Sequence, residues 1–519
     1  MRVVTAEEMT AMDRAAIDTL GIPGVVLMEN AGKGAAEVLQ NHFPHLEGKR
    51  LLVVAGGGNN GGDGFVIARH LWQQRLDVVV CCLKEPEAYR GDARTNLTII
   101  QRLGVPIEVR TRADGITALR PLVESADLIV DAIFGTGLNA PVRGYYRDVI
   151  ELINGAAAAV LAVDLPSGLH ASTGLPLGVC IRADVTATFG LAKVGQLITP
   201  GCTFVGDLQV VDIGLPRSVT EAAPPPMVVL DEAEVASLVQ PRPMTSHKGS
   251  FGHVLVVAGS VGKSGAAAMT GLGAARAGAG LVTVAVPASL NPVLEVKLTE
   301  VMTEPLPETP AQTISEAAWA RLQQLLANKQ ALALGPGLSM HEETRSLVCK
   351  LVEQGGCPLV VDADGVNSLA GQLAVLERAQ APLVLTPHPG EMGRLVGLEA
   401  AAVQEQRLEL SRSFSRKYGV TLVLKGARTI VAHRDGRVAI NVNGNPGLAS
   451  GGSGDVLTGL IAGFLAQGLA AFEAACLGVF CHGAAADQAK EHLGCQGMIA
   501  TDLLEQIPKV LSRLAEIDV

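Results

Sequence analysis

Apolar residues recur along this chain in two rhythms. Short unbroken apolar runs alternate with stretches in which apolar positions return every third or fourth residue. The runs predict strands buried on both faces, and the longer period predicts amphipathic helices. Helices are expected near Ala6–Leu20 and Val25–Asn41. RLLVVAG then predicts a strand and FVIARHLWQQR a helix, LDVVVCCL a strand and ARTNLTIIQRLG a helix. ADLIVDAIFG and AVLAVDLPSG predict two further strands. A second series follows in GHVLVVAGS, GLVTVAVP, ALALGPG, PLVVDADG, PLVLTPHPGE and VTLVLKGARTIVA. Between the two series, Gly214–Val229 carries four prolines and neither rhythm, so it reads as a linker. Two α/β domains are expected, at residues 1–216 and 226–519, each a parallel sheet covered on both faces. Ligands of such sheets bind beyond the carboxyl ends of the strands. The most apolar stretch, Leu460–Cys481, is interrupted by Gln467, Gly468 and Glu473 and predicts two buried helices rather than a membrane span.

Composition narrows this picture. Only 3% of the 519 residues are aromatic while 48% are hydrophobic, so the cores must be built from Ala, Val, Leu and Ile. A net charge of −10 without a long basic run argues against nucleic acid or an anionic membrane as the main partner. Small molecules are the expected partners. Nine scattered cysteines include no CxxC pair, and there is no HExxH, which argues against a zinc site and a disulfide framework and fits a reducing, cytoplasmic location. The polar, helical start MRVVTAEEMTAMDRAAID is unlike a signal peptide. Helices rich in Ala and Gly pack equally well within one subunit or between two, so a homo-oligomer stays open.

Candidate chemistry in the first half gathers at strand ends. In GGGNNGGDG, Gly56–Gly64, six of nine residues are glycine, and the segment joins the first strand to its helix. Glycines there let the backbone approach a ligand at a helix N-terminus. The segment is not GxGxxG, so the dinucleotide fingerprint is absent. Asp131 and Asp164 end two strands and should lie at the same rim. Carboxylates there can bind a cation or a ribose hydroxyl, or act as acid–base groups.

Together LMENAG, GGGNNGGDG, DAIFGTGL and VDLPSG resemble the amino-terminal domain of bifunctional NAD(P)H-hydrate repair enzymes. The resemblance implies a Rossmann-like three-layer domain that epimerises the R and S forms of hydrated NADH and NADPH. It implies potassium held by Asn60, Asp131 and Ser167. It implies substrate contacts from Asn59, Asn60, Gly61, Gly62 and Asp63, and from the segment Gly135, Thr136, Gly137, Leu138, Asn139, Ala140 and Pro141. Asp164 would bind substrate and be the acid–base residue.

In the second half, VAGSVGKSGAAA contains Gly-Lys-Ser after a strand, but GxxxxGK[ST] requires glycine where Val257 stands. This is a near miss rather than a P-loop. It leaves Lys263 partly solvated in a turn beside a pocket. Stronger signals are GPG at Gly335–Gly337, Asp362 and Asp364 in DADGVNSL, His388 and Glu391 in LTPHPGEMGRL, and Lys425 and Gly426 in LKGARTIV. The last, NPGLASGGSGDVL, sets glycines at the start of a helix with Asp455 in its first turn. Phosphoryl transfer needs N–H donors for the transferred group and a base for the attacking hydroxyl, and this segment offers both. Burial and a nearby phosphate would raise the pKa of Asp455, whereas the helix N-terminus would lower it. The sequence leaves that contest open.

The order of these motifs is similar to the ribokinase-like superfamily. More closely, SHKGSFGHVLVVAGS, LTPHPGEMGRL and NPGLASGGSGDVLTG resemble the dehydratase domain of the same repair enzymes. The resemblance implies a ribokinase-like three-layer domain that phosphorylates the hydrate from ADP or ATP with magnesium and then eliminates phosphate. Asp455 would be the base. Lys425, Gly426, Ala427, Arg428, Thr429 and Gly454 would contact the nucleotide, and Ala266, Gly337, His388 and Asp455 the hydrate. The turn GSVGKSGAA and Ser453 depart from the usual family pattern. The alternative reading is a ribokinase-like kinase of a small alcohol fused to a Rossmann-like binding module.

Overall fold

A computed structural model describes residues 1–221 and 227–517. The chain forms two compact units, Arg2–Pro226 and Met227–Val519 with Met1. Residues 222–226, the middle of the expected linker, lie outside the described residues. Its flanks are regular: a short helix spans Arg217–Thr220 and a strand Met227–Leu230.

The amino-terminal unit is built on seven strands: β1 Arg50–Ala55, β2 Asp77–Cys82, β3 Ile107–Val109, β4 Leu128–Ala132, β5 Ala159–Val163, β6 Val185–Phe189 and β7 Asp207–Val211. Their order is β3-β2-β1-β4-β5-β6-β7, and every pairing is parallel. Alternate residues of β1 feed opposite cores, Leu51 and Val53 into one and Leu52 and Val54 into the other. Helices Gly24–His42, Asn59–Gln73 and Gly91–Arg102 cover the first face, and Gly115–Glu124 and Tyr145–Asn154 the second. The result is a three-layer, doubly wound sandwich whose order reverses between β1 and β4. A short parallel pair, Arg2–Val4 with Ala192–Lys193, lies outside this sheet.

The glycine segment differs from its expected form. Helix Asn59–Gln73 begins inside it, so Asn60–Gly64 are the first turns of the helix and not a loop. None of its glycines has positive φ. They are required by close approach instead: a Cβ on Gly56 would sit 2.0 Å from Ile133 O, and one on Gly61 2.1 Å from Gly56 O.

The carboxy-terminal unit carries β8 Met227–Leu230, β9 His253–Val257, β10 Leu281–Pro287, β11 Met302–Leu306, β12 Ala331–Leu334, β13 Leu359–Val361, β14 Leu383–Leu385, β15 Thr421–Leu424, β16 Ile430–Ala432 and β17 Val438–Asn441. They run β11-β10-β9-β12-β13-β14-β15-β16-β17-β8, parallel except where β16 meets β15 and β17. VTLVLKGARTIVA is therefore a hairpin rather than one strand. Its turn places Gly426 at φ 132° and Arg428 at φ 60°. Val254 and Val256 face the core under helices Ser264–Arg276, Ser453–Ala466 and Ala471–Gly497. Leu255 and Val257 face the other, under Glu342–Gln354 and Arg407–Tyr418. The apolar stretch Leu460–Cys481 is thus shared by two buried helices. Among the described residues no helix is long and apolar enough to cross a membrane.

Candidate active sites

Each unit gathers its polar side chains at the carboxyl ends of its central strands. In the amino-terminal unit, β4 ends through Asp131, which is fully buried. Its Oδ1 accepts from Ser167 Oγ at 2.6 Å and its Oδ2 from Ser167 N at 2.8 Å. Burial pushes the Asp131 carboxyl up to about 6 against these hydrogen bonds. Ser167 Oγ in turn accepts from Phe134 N at 2.8 Å. Asn60 is buried beside Gly135, and its Nδ2 has no hydrogen-bond partner. The segment Gly135–Pro141 continues from this cluster as a loop with Gly137 and Asn139–Pro141 exposed.

Asp164 follows β5 and sits at φ 64°, a left-handed conformation that turns its side chain back onto the rim. Its Oδ1 accepts from Lys193 Nζ at 2.6 Å, Thr188 Oγ1 at 3.2 Å and Phe189 N at 3.2 Å. Lys193 is 1% exposed and spends its other donors on Thr188 Oγ1 at 3.1 Å and Phe189 O at 2.8 Å. Gln196 bridges the pair, accepting from Lys193 N and donating to Asp164 O. Asp63 is buried nearby, and desolvation, then Asp164 and Asp13, raise its pKa well above the usual range, with Lys193 opposing. Desolvation pushes Asp13 up to about 6. Asp13, Asp63, Asp164 and Lys193 therefore form one coupled site. The sequence reading found Asp63 and Asp164 but not Lys193 or Asp13. The available signals were a lysine among apolar neighbours in GLAKVG and an aspartate four residues after the buried Met9.

In the carboxy-terminal unit, Asp455 lies in the first turn of helix Ser453–Ala466, whose N-cap is Gly452 in the left-handed region. The contest over its pKa is settled upward, to about 7. Burial is the main cause, Asp362 adds to it, and Lys425 opposes. Asp362 is buried, with Oδ1 accepting from Lys425 Nζ at 2.6 Å and Oδ2 from Thr458 Oγ1 at 2.8 Å. Lys425 Nζ also lies 3.9 Å from Glu391. A Cβ on Gly454 would stand 3.3 Å from Lys425 Nζ, so glycine there keeps the backbone against the ion pair. Asp362 and Glu391, noted only at strand ends, are thus central, and Thr458 was missed. His482 was missed too: it is buried, contacts Ser453 O at 2.8 Å, and is pushed down to about 4 by desolvation.

Other candidates have defined places. His388 is half exposed and caps helix Pro389–Val396, its Nδ1 accepting from Gly390 N at 3.0 Å. Gly337, at φ 68°, lies against Ala266 and Lys263. Lys263 is 51% exposed and paired with Asp364 at 2.9 Å. Val257, where a P-loop needs its first glycine, belongs to β9. The turn Lys425–Thr429 is anchored by the buried Arg407, which donates to the carbonyls of Lys425 and Arg428 in the turn and of Leu424 at the end of β15.

The doubly wound unit with its acid–lysine site, followed by a unit with a helix-start aspartate beside a buried lysine, defines a two-domain α/β enzyme. The family model for NAD(P)H-hydrate dehydratase matches residues 254–509, and that for the YjeF-related protein N-terminus matches residues 24–195. A bifunctional NAD(P)H-hydrate repair enzyme of Moorella thermoacetica is 46% identical over 99% of this chain and 98% of its own length. That of Thermofilum pendens is 40% identical over 99% and 97%. An ADP/ATP-dependent NAD(P)H-hydrate dehydratase of Bacillus subtilis, co-crystallised with ATP and magnesium, is 31% identical with a TM-score of 0.49, covering 55% of this chain and 98% of its own. The chain belongs to the family of bifunctional NAD(P)H-hydrate repair enzymes.

Proposed function

We propose that the two sites act in sequence on hydrated NADH and NADPH, the amino-terminal unit exchanging R and S epimers and the carboxy-terminal unit dehydrating the S form. Asp455 carries the second step. A carboxylate with a pKa about 7 is half deprotonated at neutral pH and basic enough to take the hydroxyl proton. The hydroxyl oxygen then bonds to the terminal phosphorus of ADP or ATP, and AMP or ADP leaves. The carbon–oxygen bond breaks next, phosphate departs with the bonding electrons, and the neighbouring carbon loses a proton to restore the ring double bond. The Gly454 amide, at the helix start, would face the transferred group, and Lys425, held by Asp362, would lend a positive charge there. The turn Gly426–Thr429 would hold the nucleotide, while Ala266, Gly337 and His388 would line the hydrate. Among the described residues no three acidic side chains converge to hold a metal by themselves, so a magnesium ion would be carried by the nucleotide phosphates into the negative field of Asp362, Asp364, Glu391 and Asp455.

In the first unit Asp164 is the acid–base residue. Its Oδ1 is engaged by Lys193, so Oδ2 is the oxygen left for proton transfer. Asn60 to Asp63 and the segment Gly135–Pro141 would hold the substrate. The buried Asp131, the Ser167 hydroxyl and the Asn60 amide supply hard oxygens without a protein cation, which suits potassium. Epimerisation should fall when potassium is replaced by lithium, and Asp131→Asn should remove that dependence; equal rates in both salts would sink the potassium site.

The deciding experiment mixes the chain with both epimers of hydrated NADH, magnesium and ADP, then ATP, and follows reduced-nicotinamide absorbance. Consumption of both epimers is expected. A plateau with one epimer left would sink the amino-terminal assignment. No rise with either donor would favour the small-alcohol kinase.

A further inference from the structure

A cavity of about 520 Å³ opens in the amino-terminal unit, away from Asp164, and is lined by Lys84, Glu85, Arg112, Arg143, Tyr145 and Tyr146. Lys84 directly follows the end of β2, past Leu83, and Arg112 lies just past β3. Arg143 and the tyrosines open helix Tyr145–Asn154, whose N-cap Gly144 provides no side chain for its first amides. Lys84, Arg112 and Arg143 are exposed, and none forms an ion pair among the described residues. Their neighbour Arg110, by contrast, is paired with Glu108 at 2.7 Å. Three unpaired cations around one cavity, against a single carboxylate, stand out in a chain of net charge −10.

The cavity joins the substrate rim. A Cβ on Gly57 would sit 2.4 Å from Lys84 Cδ, so the Lys84 stem lies across the glycine segment. Tyr146 packs on Phe134 at 5.0 Å between ring centroids, and the Phe134 amide is bonded to Ser167. In doubly wound sheets that bind dinucleotides, a residue just past the second strand meets the adenosine ribose, and although this chain lacks their GxGxxG fingerprint it places Lys84 at that position. An acid there takes the 2′-hydroxyl, and a basic residue accommodates a 2′-phosphate. A phosphomonoester carries about two negative charges and three acceptor oxygens. Guanidinium forks and an ammonium match it, and the partly exposed Tyr146 ring suits the adenine.

Resting on the epimerase reading, we propose that this cavity receives the adenosine end of the substrate and that Lys84, Arg112 and Arg143 bind its 2′-phosphate. The epimerase site therefore favours NADPH hydrate over NADH hydrate. The test is the double variant Lys84→Gln with Arg112→Gln in the full chain. For epimerisation, the ratio of KM for NADPH hydrate to KM for NADH hydrate should rise about tenfold or more, with kcat for NADPH hydrate retained. An unchanged ratio would overturn the proposal. Titration calorimetry with 2′,5′-ADP and with 5′-AMP requires no epimerisation. It therefore separates failure of this proposal from failure of the epimerase reading. The variant should weaken 2′,5′-ADP about tenfold and leave 5′-AMP little changed. Identical 2′,5′-ADP isotherms for wild type and variant would reject the cavity as a phosphate site.

Discussion

At the scale of residues, the carboxy-terminal site is governed by how one carboxylate is kept basic. In the proposed role Asp455 must be ionised to accept a proton, so dehydration should rise with pH and level off above about 7. Asp455→Asn should lower it about 100- to 10,000-fold and flatten that limb, while epimerisation persists. A retained limb in the variant would assign the base elsewhere. Asp362 is the largest charge holding the Asp455 pKa up, and Lys425 the main charge pulling it down. Asp362→Asn removes the first and leaves the second without its partner. Both changes act in one direction, so the limb should move to lower pH; a limb that stays put would mean burial alone sets it. The position of Asp455 was legible because glycines and an acid at a helix start are adjacent in sequence. Its pKa was not, because Asp362 lies just past β13 and reaches Thr458 across 96 residues. Lys193 was illegible for the same reason: its meaning depends on Asp164, 29 residues earlier.

Among elements, scarcity of aromatic residues is resolved by bringing backbones together. Helices Ser264–Arg276 and Ser453–Ala466 touch at glycines: a Cβ on Gly459 would lie 2.2 Å from Thr270 O, and one on Gly273 2.7 Å from Val456 O. Gly459→Ala would gain helix propensity but force these backbones apart, and the second effect wins. The carboxy-terminal unit should lose about 2 kcal/mol or more. Each unit holds one of the two tryptophans, Trp72 and Trp319, so urea unfolding read by Trp319 in a Trp72→Phe background isolates that loss. An unchanged midpoint would show that the helices can separate cheaply. Most strands buried on both faces were legible as apolar runs, but β6 was not, because VTATF sets two threonines among its buried residues. β11 was not, since MTEPL is partly exposed and interrupted by proline. The β15–β16 hairpin was hidden because apolar residues flank its turn on both sides, and only Gly426 and Arg428 bend the chain. That the glycine segment is already helical from Asn59 was illegible, because composition does not distinguish glycine used for flexibility from glycine used for close packing.

For the whole molecule, the question is whether both activities must reside on one chain. Each unit closes its own cores and completes its own cluster of charged groups, Asp164 with Lys193 in one and Asp362 with Lys425 in the other. No covalent intermediate on the protein is needed to link the steps, because the epimerised hydrate is a free small molecule. Asp164→Ala should therefore stop with the R epimer unconsumed, and Asp455→Asn should epimerise without restoring reduced nicotinamide. Mixed in equal amounts, the two variants should again consume both epimers. The rate should depend on total protein concentration, because the S form made by one molecule must reach another. If the mixture left the R epimer behind while wild type consumed it, the hydrate would have to pass between units within a single chain. Recovery in the mixture would instead make the fusion a matter of matched supply, with one gene product delivering epimerase and dehydratase in fixed ratio.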